Sequence, residues 1–184
     1  MANGSTILLV EDNPDDALLL EMALLNAGYR YHMIVVADGE QAIQYLNGQG
    51  GYANPEQFPL PRLIFLDLKM PRVDGFGVLE WIRRQPELYH IPVLVLTSCY
   101  HGAEIERAYD LGANSFLTKP SDFHEFVAAI KETGKYWFPK ALPFESKRPA
   151  PVSESARTSE PLSSASRPNT RHSPRSKRCP SRRR

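Results

Sequence analysis

Thr6-Ile7-Leu8-Leu9-Val10-Glu11-Asp12-Asn13-Pro14-Asp15-Asp16 is the stretch whose reading decides the fold. Ile7 to Val10 is a short continuous apolar run, the pattern of a strand buried on both faces of a parallel sheet. Two acids follow it at once. Asn13 is an N-cap candidate, Pro14 suits a first helical turn, and Asp15 and Asp16 sit near the positive end of the helix dipole. Leu18, Leu19, Leu20, Met22 and Leu25 then predict a helix with a broad apolar face, closed by Gly28. The same strand-then-helix unit recurs down the chain. Strands are predicted at 33–36, 63–66, 93–96 and 115–117, and helices at 39–46, 75–84, 103–111 and 122–137. Five strands, each followed by a helix, predict a three-layer α/β domain around a parallel sheet. The connection 47–61, with three Gly and three Pro, is longer than the usual ~4–6 residues.

The net charge of +1 over 184 residues hides a division. Residues 1–138 carry 10 Lys+Arg against 18 Asp+Glu, and residues 139–184 carry 12 against 3. That asymmetry marks an acidic folded domain over 1–138 and a basic tail over 139–184, with the boundary between 138 and 146. The tail is rich in Pro, Ser and Arg, and its only large apolar residues are Leu142, Phe144, Val152 and Leu162. It is expected to be disordered, since so little apolar surface cannot offset the entropy of ordering. Its basic end, Arg175 to Arg184, has the charge for weak, salt-sensitive, nonspecific anion binding, but no interleaved aromatics for stacking bases. No segment is apolar enough to span a membrane, and Met1 to Thr6 lacks the basic start of a signal peptide, so a cytoplasmic protein is expected. Cys99 and Cys179 suggest neither a disulfide framework nor a metal knuckle.

In an open parallel sheet, ligands bind where the strands end. Glu11 and Asp12 follow the first strand, Asp67 ends the third, Thr97 and Ser98 end the fourth, and Lys119 follows the fifth. Three carboxylates at one edge repel one another, and a hard divalent cation resolves this. Mg²⁺ fits, since it takes oxygen ligands, keeps waters and binds through one or two carboxylates plus phosphate. Asp12 and Asp67 are the expected direct ligands, Glu11 acts through water, and the backbone carbonyl of Lys69 adds another oxygen. With charge neutralised, the Asp67 carboxylate can attack phosphorus in line. Lys119 and the Thr97 hydroxyl would then hold phosphoryl oxygens.

Leu8 to Asn13, Ile64 to Gly75 (with Asp67-Leu68-Lys69-Met70-Pro71 at its centre), Leu96-Thr97-Ser98 and Phe116-Leu117-Thr118-Lys119-Pro120 together resemble the motif set of response-regulator receiver domains over about residues 5–138. The resemblance implies a flavodoxin-like fold with strand order 2-1-3-4-5. It implies Mg²⁺-dependent phosphorylation of Asp67 by a partner histidine kinase, and a cis Lys119–Pro120 bond. It also implies a switch in which Thr97 moves to the phosphoryl group and Phe116 turns inward. The position of Lys69 tunes phosphoryl lifetime in the family; a cation there either pairs with Glu11 or hinders the attacking water. The long loop before the third strand and the ending Lys135-Tyr136-Trp137-Phe138 are similar to single-domain regulators paired with phytochrome-type kinases. In those, the face made by the fourth helix, fifth strand and fifth helix often mediates homodimerisation.

Each residue has a plainer reading. Asp67 alone is a strand-end acid, Glu11-Asp12 can cap a helix, and Lys119 is a solvated lysine before a turn. Thr97 can bond backbone, and Phe116 can be ordinary core. Convergence of all four motifs sets the sharper reading above these. An aspartyl-phosphate enzyme of the haloacid-dehalogenase kind would need an acid where Lys69 stands, so a signalling phosphoacceptor with limited autophosphorylation and autodephosphorylation is expected rather than an enzyme. No DNA-binding domain follows: the tail is too polar to fold into one.

Overall fold

The computed structural model describes residues 6–98 and 102–138. Cys99 and the tail over 139–184, Cys179 included, lie outside the described residues. The elements are β1 (Thr6–Val10), α1 (Pro14–Asn26), β2 (His32–Val36), α2 (Gly39–Asn47), β3 (Leu63–Leu66), α3 (Gly75–Arg83), β4 (Val93–Thr97), α4 (Gly102–Asp110), β5 (Ser115–Thr118) and α5 (Phe123–Trp137). All strand pairs are parallel, in the order β2-β1-β3-β4-β5. This is the expected flavodoxin-like order, and each predicted element lies within a residue or so of its observed bounds.

Alternation along the strands makes two cores. Leu8, Val10, Ile64, Leu66, Val93 and Val95 face one side, with Val78, Leu79, Ile82 and Ala108 of α3 and α4. Ile7, Leu9, Phe65, Leu94 and Leu96 face the other, with Leu20 and Leu24 of α1 and Phe126 and Ile130 of α5. Because β1, β3 and β4 are covered on both faces, their sequences read as unbroken apolar runs.

Two readings are corrected, and one connection has structure that its sequence does not suggest. The inward face of α1 is Ala17, Leu20, Ala23 and Leu24, whereas Leu18, Met22 and Leu25 are 56%, 44% and 45% exposed. The helix is apolar on nearly every side, so side-chain size pointed to the wrong stripe; alanines let it approach the sheet. The Lys119–Pro120 bond is trans, as no described peptide bond is cis. Trans is the default even before proline, by ~0.5–1 kcal/mol. The long connection before β3 is not featureless. A short 3₁₀ turn at Gly50–Tyr52 starts it, and the rings of Tyr45, Tyr52 and Phe58 pack edge to face with centroids 5.2–6.2 Å apart. The buried Tyr45 hydroxyl donates to the Pro59 carbonyl at 2.5 Å.

Candidate phosphoacceptor and metal site

Strand register assembles the site. Val10 pairs with Leu66, so Glu11 and Asp67, one step further on, leave neighbouring strands side by side. The ladder runs on past the strand ends, with the Asp67 N–H donating to the Val10 carbonyl at 3.0 Å. Thr97 pairs with Thr118, which puts Lys119 just beyond it, and the Lys119 N–H donates to the Thr97 carbonyl at 2.9 Å.

Glu11, Asp12 and Asp67 each offer a carboxylate oxygen within 4.8 Å of the others. Asp12 is exposed, while Glu11 and Asp67 are buried. This set of hard oxygens with one open side fits a small divalent cation that retains water. The Asp67 carboxylate accepts the Leu68 N–H at 2.8 Å. Burial pushes the Asp67 carboxyl above its ordinary range; the Lys119 ammonium, the N–H groups of Leu68 and Lys69 and the Thr97 hydroxyl oppose that shift without cancelling it. Burial likewise raises Glu11, against the pull of Lys119, and the neighbouring Asp67 raises it further. Burial alone would lower the Lys119 amine, but Asp67, Glu11 and Asp16 outweigh it and push the value up. The lysine therefore stays charged, and its side chain is only 7% exposed.

The Lys119 ammonium pairs directly with Glu11 and stands 3.1 Å from Asp16. In the sequence alone, Asp16 reads only as a dipole-facing acid of the first helical turn. The available signal was its position one turn beyond Asp12 at the mouth of the site. The Lys69 amine pairs with Glu104 on α4 at 3.6 Å rather than with Glu11, leaving the side chain 47% exposed. Phe116 is partly buried and packs on the first core, while Thr97 is fully buried.

The loop after Asp67 is held from two sides. Asp74 caps α3, accepting the Gly77 N–H at 2.8 Å. Gly75 lies directly against the chain at Asp67: a Cβ there would stand 2.2 Å from the Asp67 carbonyl oxygen. Arg72, at φ +66°, pairs with the buried Asp38 that caps α2. Sequence reading passed over both residues; the Asp38-Gly39 step before α2 was the available cue.

Five parallel strands with acids and a lysine gathered at their carboxyl ends define a class, and comparison with known proteins agrees. Residues 7–131 match the response regulator receiver domain family, and the chain belongs to it. It is 38% identical over 131 residues to a probable methanogenesis regulatory protein, FilR2, of Methanothrix harundinacea, covering 71% of this chain and 82% of that one. It is 35% identical to the response regulator Rcp1 of Synechocystis, covering 71% and 87%. A crystal structure of the phosphorylated cyanobacterial phytochrome response regulator RcpA superposes with a TM-score of 0.68 at 36% identity, covering 76% of this chain and 97% of that one. An Mn²⁺-bound form of Rcp1 superposes at 0.66 with 33% identity, covering 75% and 97%. The chain is thus a receiver-domain response regulator related to phytochrome-associated regulators. Among the described residues, no helix is long and apolar enough to cross a membrane.

Proposed function

We propose that this chain is a single-receiver signalling protein, residues 1–138 forming the receiver and 139–184 a separate basic tail. Asp67 accepts a phosphoryl group from a sensor histidine kinase of the phytochrome type, in a Mg²⁺-dependent reaction. The observation that carries this reading is the gathering of the Glu11, Asp12 and Asp67 carboxylates beside the Lys119 ammonium at one edge of the sheet.

Asp12 and Asp67 would hold the metal directly, with Glu11 acting through water and the Lys69 backbone carbonyl as a further oxygen. Bound there, Mg²⁺ supplies positive charge that offsets the crowding of carboxylates and phosphoryl oxygens. An Asp67 carboxylate oxygen forms the new bond to phosphorus as the donor's bond breaks. Lys119 contributes an N–H donor and fixed charge to a phosphoryl oxygen. The Thr97 hydroxyl, which meets the Asp67 carboxylate in the unphosphorylated chain, turns to another phosphoryl oxygen. That movement opens space towards which Phe116 can turn. Differential contact in the two states is what biases such a switch. The output is phosphorylation-dependent protein–protein interaction, including a homodimer through α4, β5 and α5. No catalytic output domain is invoked.

Intact-mass measurement after incubation with acetyl phosphate and Mg²⁺ tests the reading. Wild type gains one phosphoryl group, roughly 80 Da, and Asp67→Asn gains none. Size-exclusion chromatography of the same samples checks the output: phosphorylation shifts wild type towards dimer, and Phe116→Ala weakens that shift. Equal labelling of wild type and Asp67→Asn contradicts the phosphoacceptor. An unaltered shift in Phe116→Ala contradicts the coupling.

A further inference from the structure

We propose that Asp16 is a positioning residue for Lys119: a carboxylate outside the metal-binding set that keeps the ammonium at the phosphorylation site while Glu11 turns to the metal. This deepens, and rests on, the receiver reading above.

The geometry is specific. The amine of Lys119, drawn from beyond β5, pairs with Glu11 at the tip of β1 and with Asp16 in the first turn of α1. Those partners lie 108 and 103 residues away in sequence. The side chains of Lys119, Glu11 and Asp16 are 7%, 2% and 18% exposed, so water competes little for these contacts. Asp16 is absent from the group of carboxylates that share a metal-sized space, which comprises Glu11, Asp12 and Asp67.

Glu11 has two calls on it already. Its Oε1 accepts the Asn13 N–H at 3.1 Å, and its Oε2 is taken by Lys119. A metal recruiting Glu11 through water draws on a carboxylate whose two oxygens each already accept a hydrogen bond. Without Asp16, the acids left to hold Lys119 are Glu11 and Asp67, both members of the metal-binding set, so the lysine would either crowd the metal or swing away on its long flexible stem. Asp16 removes the conflict. An ammonium has three donors; one stays on Asp16 while the others are released from Glu11 and turned to a phosphoryl oxygen. Asp16 is rigidly delivered, because Asn13 caps α1 through its side chain on the Asp15 N–H at 2.9 Å and through its carbonyl on the Ala17 N–H at 3.0 Å.

A double-mutant cycle on the full chain tests this, read by isothermal titration with Mg²⁺ alone. Asp16→Asn is expected to raise the Mg²⁺ Kd about fivefold in the wild-type background, but by less than about twofold in Lys119→Met, since coupled neighbours are non-additive. Equal weakening in both backgrounds would identify a bulk charge effect and overturn the proposal; so would an unchanged Kd in the wild-type background. Asp16→Ser repeats the cycle if the asparagine variant does not fold, and loss of folding in both makes the residue structural, which also refutes the assignment. A wild type that binds no Mg²⁺ and gains no phosphoryl mass brings down the phosphoacceptor reading on which the proposal rests, a result distinct from a flat cycle in a competent wild type.

Discussion

Gly75→Ala places one methyl group beneath Asp67, the proposed phosphoacceptor, and its consequences can be worked from the packing. The added Cβ would lie 2.2 Å from the Asp67 carbonyl oxygen and 2.7 Å from the Leu68 Cα. Both are backbone atoms, so no side chain can rotate away. Ordinary contact between such atoms needs ~3.5 Å or more, and the strand end or the start of α3 must therefore move by about 1 Å. Overpacking of this kind costs ~1–3 kcal/mol. The Gly75 N–H also donates to the Leu68 carbonyl at 3.1 Å, so the displacement strains a bond that closes the loop. A shift of about 1 Å at a reacting group can cost on the order of 100-fold in rate. Urea denaturation should show the stability loss, and the initial rate of mass gain with acetyl phosphate should fall more than the folded fraction does. Gly51→Ala is the control, since nothing lies within 4 Å of its Cβ position; it should change stability by no more than about 1 kcal/mol. Wild-type stability and rate in Gly75→Ala would refute the close-approach argument.

Two further outcomes follow from the buried groups. Asp67 and Glu11 have values raised by burial in the folded chain, so folding favours their protonated forms. Their contribution is most favourable below the ordinary carboxylate range and is lost as pH rises through the raised folded values. In EDTA, Asp67→Asn should therefore gain on wild type in urea midpoint as pH rises towards neutrality, by on the order of 1 kcal/mol; a difference independent of pH would count against a strained buried acid. Tyr45→Phe deletes the hydroxyl that meets the Pro59 carbonyl, and should cost ~1–2 kcal/mol while speeding proteolysis within 47–61. An unaltered cleavage rate would mean the aromatic cluster alone orders that loop.

The fold was legible wherever burial was two-sided. The runs Ile7–Val10, Leu63–Leu66 and Val93–Leu96 admit little besides central parallel strands, and Asn13, the cap read from the sequence, does cap α1; the caps of α2, α3 and α5, Asp38, Asp74 and Asp122, emerge from the folded chain. The inward stripe of α1 was not legible, because a helix apolar on most sides lacks the contrast from which a face is read. The aromatic packing of the 47–61 connection was hidden for a related reason: Tyr45, Tyr52 and Phe58 have no periodic spacing.

By itself the sequence determined which chemistry each strand tip could offer: acids after β1, Asp67 after β3, a hydroxyl on β4 and an amine after β5. Local pattern suffices there, since an apolar run interrupted by a charge marks its own end. Only the tertiary structure decided which of those groups touch. The one-step offset beyond the Val10–Leu66 pair sets Glu11 beside Asp67, and Lys119 leans on Glu11 and Asp16 while Lys69 turns out to Glu104. Long side chains choose among several oppositely charged groups by distance and burial, and both are properties of the packed molecule rather than of any stretch of chain.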